Sequence, residues 1–251
     1  ASTAKPLLAA RGIPQPTVLD SRLLVPAGAI LLVLGIALLL PAVNVLVRPV
    51  FTVAWAGLVL AFSAIAETVL TATQIHGVRP GAGAWLGAAA LIAVLVAAAC
   101  AALAGGIERD EVDLTALGAS RWLLVPGLLG VVLAVPGIAL PVITAPSYQP
   151  ADLVEHFHLS SWGLLVALLA VVVGVAVAGF SRPLRGAGLL LGAALVMAIR
   201  ASEYPLTSAR VSGAAVGTGT WFSVAAVLVL LAGALLAVWL ARRAVAGGLP
   251  G

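Results

Sequence analysis

One passage of this chain occurs twice. Residues 67–85 read ETVLTATQIHGVRPGAGAW and residues 203–221 read EYPLTSARVSGAAVGTGTW, aligned without a gap at an offset of 136. Seven of the nineteen positions are identical: Glu67/Glu203, Leu70/Leu206, Thr71/Thr207, Gly77/Gly213, Gly81/Gly217, Gly83/Gly219 and Trp85/Trp221. Glu, Thr and Trp are scarce in this chain, so a shared bias toward Ala, Leu and Val does not produce the match. Such a repeat governs architecture before local propensity does, because each copy specifies the same supersecondary unit.

Both copies lie in strongly apolar sequence. Of 251 residues, 63% are hydrophobic and 9% charged, with a mean hydropathy of +1.20. Soluble domains carry about 25% charged residues. Apolar runs of about 20 residues mark helices that cross a bilayer. Only helices and closed barrels satisfy their backbone in lipid, and these runs do not alternate as barrel strands do. The expected fold is therefore an all-α polytopic membrane protein. Seven transmembrane helices are read, at about 23–43, 50–72, 84–105, 122–143, 161–180, 186–204 and 221–241. Arg200 and Glu203 interrupt the far end of the sixth. Trp85, Trp122, Trp162 and Trp221 open four of these spans, with Trp55 near the start of the second and Trp239 near the end of the seventh. Amphipathic indoles favour the headgroup region, so all six are expected as interfacial anchors.

The repeat extends beyond its core. Arg48-Pro49 precedes the second span and Arg182-Pro183 the sixth, while Leu23-Leu24-Val25 opens the first and Leu164-Leu165-Val166 opens the fifth. Spans one to three thus match spans five to seven, and the fourth is a linker. A duplicated three-helix unit keeps its orientation only if one extra helix separates the copies. The expected plan is 3+1+3, with a parallel internal repeat about an axis along the membrane normal. Its parts are an N-terminal tail (1–22), a first three-helix repeat (23–105), an inner loop and linker helix (106–143) and a second repeat (161–243). A competing match pairs Ser21-Arg22-Leu23-Leu24-Val25-Pro26 with residues 120–126, SRWLLVP, which would pair span one with span four in an inverted 3+3 repeat.

Arginine placement sets orientation. With the C-terminus cytoplasmic, inner segments hold Arg48, Arg109, Arg121, Arg182, Arg185, Arg242 and Arg243, and outer ones hold Lys5, Arg11, Arg22, Arg79, Arg200 and Arg210. Without the N-terminal tail the ratio is seven to three, which favours an outer N-terminus and a cytoplasmic C-terminus. The net charge of +4 follows from these flanking arginines and implies no nucleic-acid partner. Residues 1–20 contain no apolar h-region, so no signal peptide is read there. The single Cys100 excludes an intramolecular disulfide and a Cys-based metal site. Ala-, Gly- and Arg-rich, Lys-poor composition suggests a high-GC bacterial genome, hence a bacterial plasma membrane.

Glu67, Thr71 and Gln74 follow at steps of four and three, and so share one helical face; Glu203, Thr207 and Arg210 repeat those steps. A carboxylate inside a span costs roughly 2.5–3.5 kcal/mol on insertion scales, so it usually faces a cavity or a partner. These six residues are the candidate substrate- or ion-binding set, for a proton, a cation or a polar solute. The bland alternative puts both glutamates at the outer interface as packing contacts. Arg200 and Glu203 stand three apart, the spacing of a helical ion pair. Asp152, Glu155, His156 and His158 form an acidic and imidazole cluster, with His156, His158 and Asp152 as weak metal candidates. No geometry supplies a full ligand set, and Leu153, Phe157 and Trp162 instead suggest an amphipathic interfacial helix. Asp113 suits the cap of a short helix from Leu114. Pro126, Pro136 and Pro141 predict a kinked fourth span, as in the broken helices of transporters or simply in membrane helices. Gly83/Gly87, Gly188/Gly192 and the stripe Ala89, Ala93, Ala97, Ala101 permit close helix approach or a partner subunit.

No Walker A loop, G-x-S-x-G or H-E-x-x-H is present, no span carries Lys, and no span carries a His to ligate haem. No cofactor is expected. The 3+1+3 parallel plan at this length resembles the SWEET sugar transporters in architecture, without their proline-glutamine motifs. Arg109 to Arg121, RDEVDLTALGASR, resembles the cytoplasmic segment of FtsX/MacB-type ABC permeases over thirteen residues. The expected function is a transporter or permease component with a polar site between the repeats. The alternative is a non-catalytic membrane subunit scaffolding a larger complex. Expected partners are membrane lipids and other membrane subunits or further copies of the chain. A lipid-acting enzyme ranks last, for want of a paired acid and base.

Overall fold

The computed structural model describes residues 117–146, 161–181, 183–208 and 213–246, with isolated positions at 33, 36, 53, 55–57, 59, 82, 85–86, 88–89, 92 and 153–154. Four helices are described: α1 (Leu117–Ala139), α2 (Ser161–Gly179), α3 (Pro183–Ser208) and α4 (Thr218–Ala246). Two short strands, β1 (Ile143–Thr144) and β2 (Ala215–Val216), pair antiparallel with Ile143 opposite Val216 and Thr144 opposite Ala215. Spans within α2, α3 and α4 (19, 24 and 26 residues) are long and apolar enough to cross a membrane, and Leu123–Ala139 of α1 is a shorter apolar helix. The protein is membrane-embedded.

The helices run alternately up and down. Helix α1 packs on α2 and α4, α3 packs on the same two, and α1 meets α3 across the bundle. Helix α3 is the inner one: 56% of its apolar 18-residue stretch is buried, against 28% of the corresponding stretch in α2 and in α4. Its buried side includes Ala187, Leu190, Ala193, Ala194 and Met197. Facing residues are again mostly small: Ala134 of α1, Ala178 of α2, and Ala226, Ala234 and Ala237 of α4. Lipid tails are as apolar as leucine, so helices associate in a bilayer through close van der Waals approach, which small side chains allow.

Several boundaries differ from the sequence reading. The fourth span, expected to run to 143, stops as a helix at Ala139. Leu140 donates its N–H to the Pro136 carbonyl at 3.0 Å, and Pro141 has no N–H to continue the ladder. Helix α3 continues through Arg200, Glu203 and Pro205 to Ser208 rather than breaking near 204, because the two charged side chains pair with each other. Residues 218–220, expected as loop, form the first turn of α4. Near the cluster 152–158, Leu153 donates to the Ala139 carbonyl at 3.2 Å and packs against the core. Asp113, Leu114 and most of the first repeat lie outside the described residues, as does the Trp122 side chain.

Four of the tryptophans are exposed, as anchors must be: Trp85, Trp162, Trp221 and Trp239. Trp55 is not. Its ring sits against α2 at Gly174 and α3 at Gly192, and its Nε1 is buried without a hydrogen-bond partner. A Cβ at Gly192 would collide with Nε1 of that ring, and one at Gly174 would lie 2.9 Å from its Cζ2. Trp55 is therefore a packing wedge, with Ala56 beside it fully buried. The indole fills a notch that two glycines open, so packing overrode its interfacial preference. Trp55→Ala should lower stability by about 3 kcal/mol through lost contacts and the residual void; thermal unfolding in detergent micelles reads this directly.

Candidate functional site

The end of α1 defines a polar centre in an otherwise apolar bundle. Where its helix stops, the carbonyls of the last turn lose their helical donors. Side chains from α3 and α4 reach them. Ser223 donates its hydroxyl to the Gly137 carbonyl at 3.2 Å, and Thr220 donates to the Val142 carbonyl at 2.8 Å. Arg200 Nη2 approaches the Ile138 and Leu140 carbonyls at 3.4 and 3.5 Å. Its Nη1 donates to Glu203 Oε2 at 2.6 Å, a short charge-assisted bond. The cation also complements the partial negative charge at the C-terminus of α1.

Two glycines of the repeat create the room for this docking. Backbone N–H groups of Gly217 and Gly219 donate to the Val142 and Pro141 carbonyls at 2.9 and 3.0 Å. A Cβ on Gly217 would strike the Pro141 carbonyl, and one on Gly219 the Leu140 carbonyl. Gly213, at φ +73°, takes the left-handed conformation at the turn before β2. The Gly-rich half of the repeat thus seats the chain leaving α1 against the start of α4.

Depth follows from α4. Trp221 and Trp239 are both exposed and stand 18 positions apart, about 27 Å along a helix axis, close to the ~30 Å hydrocarbon thickness of a bilayer. Trp162 and Phe180 bracket α2 at the same spacing, and both are exposed. Ser223, bonded to Gly137, lies about 3 Å along the axis from Trp221. Arg200, bonded to the next carbonyls of α1, therefore sits within roughly one turn of the membrane edge, where the cost of a charge is smallest. The Arg200 side chain is 6% exposed and that of Glu203 23%, so the cation is enclosed and its partner side chain half-buried. Arg200 Nε is buried and has no hydrogen-bond partner.

Of the six residues expected to bind a substrate or ion, Glu203 is placed in this centre. Thr207 lies on α3 with its side chain outside the described residues. Glu67, Thr71, Gln74 and Arg210 lie outside the described residues, as do the metal candidates Asp152, His156 and His158. Among the described residues no three His, Cys, Asp or Glu side chains come together. What the sequence reading missed was the acceptor side of the centre, namely the free carbonyls of α1 and the hydroxyls of Thr220 and Ser223. Pro141 is their sequence signal, since a proline within an apolar run frees carbonyls that some donor must meet. Chemically the arrangement is a neutralised ion pair on the carbonyls of a helix end. No protein family, characterised protein or solved structure was found to match this chain.

Proposed function

We propose that this chain is the membrane-embedded part of a transporter or permease, with its polar centre at Glu203, Arg200 and the end of α1. The observation that carries this reading is the Arg200–Glu203 ion pair set against the carbonyls at the end of α1, in a bundle of apolar spans. Ionisable groups in spans mark substrate or ion pathways, and a helix end offers backbone carbonyls at such a site. The substrate class is a proton, a cation or a small polar solute. In this reading the seven spans form a 3+1+3 parallel repeat, and Glu67 enters the same centre from the first copy. The C-terminus faces the cytoplasm of a bacterial cell. Arg185, Arg242 and Arg243, at one end of the bundle, agree with that orientation.

A second reading has its own support. Arg200 spends most of its hydrogen-bonding capacity within the protein, as a residue with a purely structural role does. The chain is then a non-catalytic subunit that stabilises a larger membrane complex. Proteoliposomes on a solid-supported electrode, challenged with protons, monovalent cations and labelled polar solutes, separate the two. A saturable signal is expected from the wild type, and its reduction by about tenfold or more in Glu203→Gln. Equal signals in both proteins would remove Glu203 from the pathway. A silent wild type that co-purifies with a stoichiometric membrane partner would establish the second reading instead.

A further inference from the structure

The end of α4 opposite the Arg200 centre carries a second, separate feature. Arg243 lies over the Trp239 ring with its guanidinium carbon 3.8 Å from the ring centroid. Arg242, Arg243 and Trp239 are all exposed, and at steps of three and four they share one helical face. The same face continues toward the bilayer centre as Leu235 and Leu228, 71% and 63% exposed. Glu203, the sole acid among the described residues, is at the other end of the bundle. A guanidinium stacked on an interfacial indole is held at headgroup depth, with its N–H edges directed away from the ring. A fork of N–H donors above an apolar stripe matches a phosphodiester above an acyl chain.

We infer that this face of α4 binds an anionic glycerophospholipid. Its phosphate lies on Arg242 and Arg243, and one acyl chain lies along Leu235 and Leu228. Trp239 positions Arg243 rather than contacting the phosphate itself. Basic residues near an anionic membrane surface contribute about fivefold in binding each, so two arginines give selectivity over a zwitterionic lipid of roughly 25-fold.

The test uses the full chain in zwitterionic micelles, titrated with phosphatidylglycerol or with phosphatidylcholine of the same acyl chains. Native mass spectrometry counts retained lipid, and the melting temperature reads stabilisation. Selective retention of phosphatidylglycerol is expected in the wild type. It should be lost in the double variant Arg242→Gln/Arg243→Gln and weakened in Trp239→Leu, while helicity and melting in phosphatidylcholine stay unchanged. Equal retention of the two lipids by the wild type overturns the proposal. So does a double variant that is destabilised equally in phosphatidylcholine, which would mean that the arginines pair with the acidic segment 106–121 of this chain. Soluble glycerophosphoglycerol and inorganic phosphate, at millimolar concentration, form the third arm. If either reproduces the full stabilisation, the arginines are a phosphate site and the acyl stripe has no part in it.

Discussion

Arg200→Met is expected to be among the most destabilising substitutions in the described bundle. It removes the 2.6 Å bond to Glu203 and the donors facing the Ile138 and Leu140 carbonyls. Methionine fills much of the volume, so the loss is electrostatic. Breaking a buried pair by deleting one partner costs 3–5 kcal/mol, because the surviving charge is left uncompensated. Glu203 keeps 23% of its side chain exposed and can draw on interfacial water, which argues for the lower end, about 3 kcal/mol. The double variant Arg200→Met/Glu203→Met leaves no orphaned charge and should cost less than the single Arg200 change. Unfolding of the four proteins of this cycle in micelles gives the coupling energy. Strictly additive effects would show that the two side chains do not stabilise one another.

Gly219→Val should rank close behind. Its Cβ would meet the Leu140 carbonyl, with the Pro141 carbonyl oxygen 3.0 Å away, and both are backbone atoms that cannot rotate aside. Relief requires the end of α1 to leave α4, which breaks the Gly219–Pro141 and Gly217–Val142 bonds and the β1–β2 pairing. Overpacking of this kind costs about 1–3 kcal/mol, and the loss of backbone hydrogen bonds places it at or above the top of that range. Gly213→Ala is a useful contrast. Among the described residues its Cβ would find only Pro146 at 3.6 Å, so the penalty is conformational, about 1 kcal/mol for a left-handed alanine. A melting temperature for Gly219→Val equal to that of Gly213→Ala would show that α1 does not dock as described.

Helix positions were legible because hydropathy is a local signal. The range read for the fifth span, 161–180, differs from α2 by one residue, since that run is uniformly apolar from Trp162 to Gly179. Ends were less legible wherever a distant group supplied the missing partner. Helix α3 outruns its expected end because Arg200 neutralises Glu203 in place. The fourth span stops early because donors from α3 and α4 meet its freed carbonyls. The i, i+3 spacing of Arg200 and Glu203 pointed to their ion pair from the sequence, whereas the carbonyls Arg200 reaches are some sixty residues away. Trp55 shows the limit most clearly. Its sequence setting matches the other tryptophans, yet Gly174 and Gly192 make a notch for its ring.

By itself the sequence determined the solvent of this protein and the residues that recur. An apolar chain with 9% charge must enter a bilayer as helices, because lipid provides no partner for a bare backbone. It also marked Glu203, Gly213, Gly217, Gly219 and Trp221 as one unit, without assigning their tasks. Only the tertiary structure decided those tasks. Glycine spacing became a seat for the chain leaving α1, and Glu203 became the partner of an enclosed arginine. The physical reason is range: hydropathy and periodicity act along one helix, while a freed carbonyl, a buried cation and a missing Cβ acquire meaning only when another helix arrives.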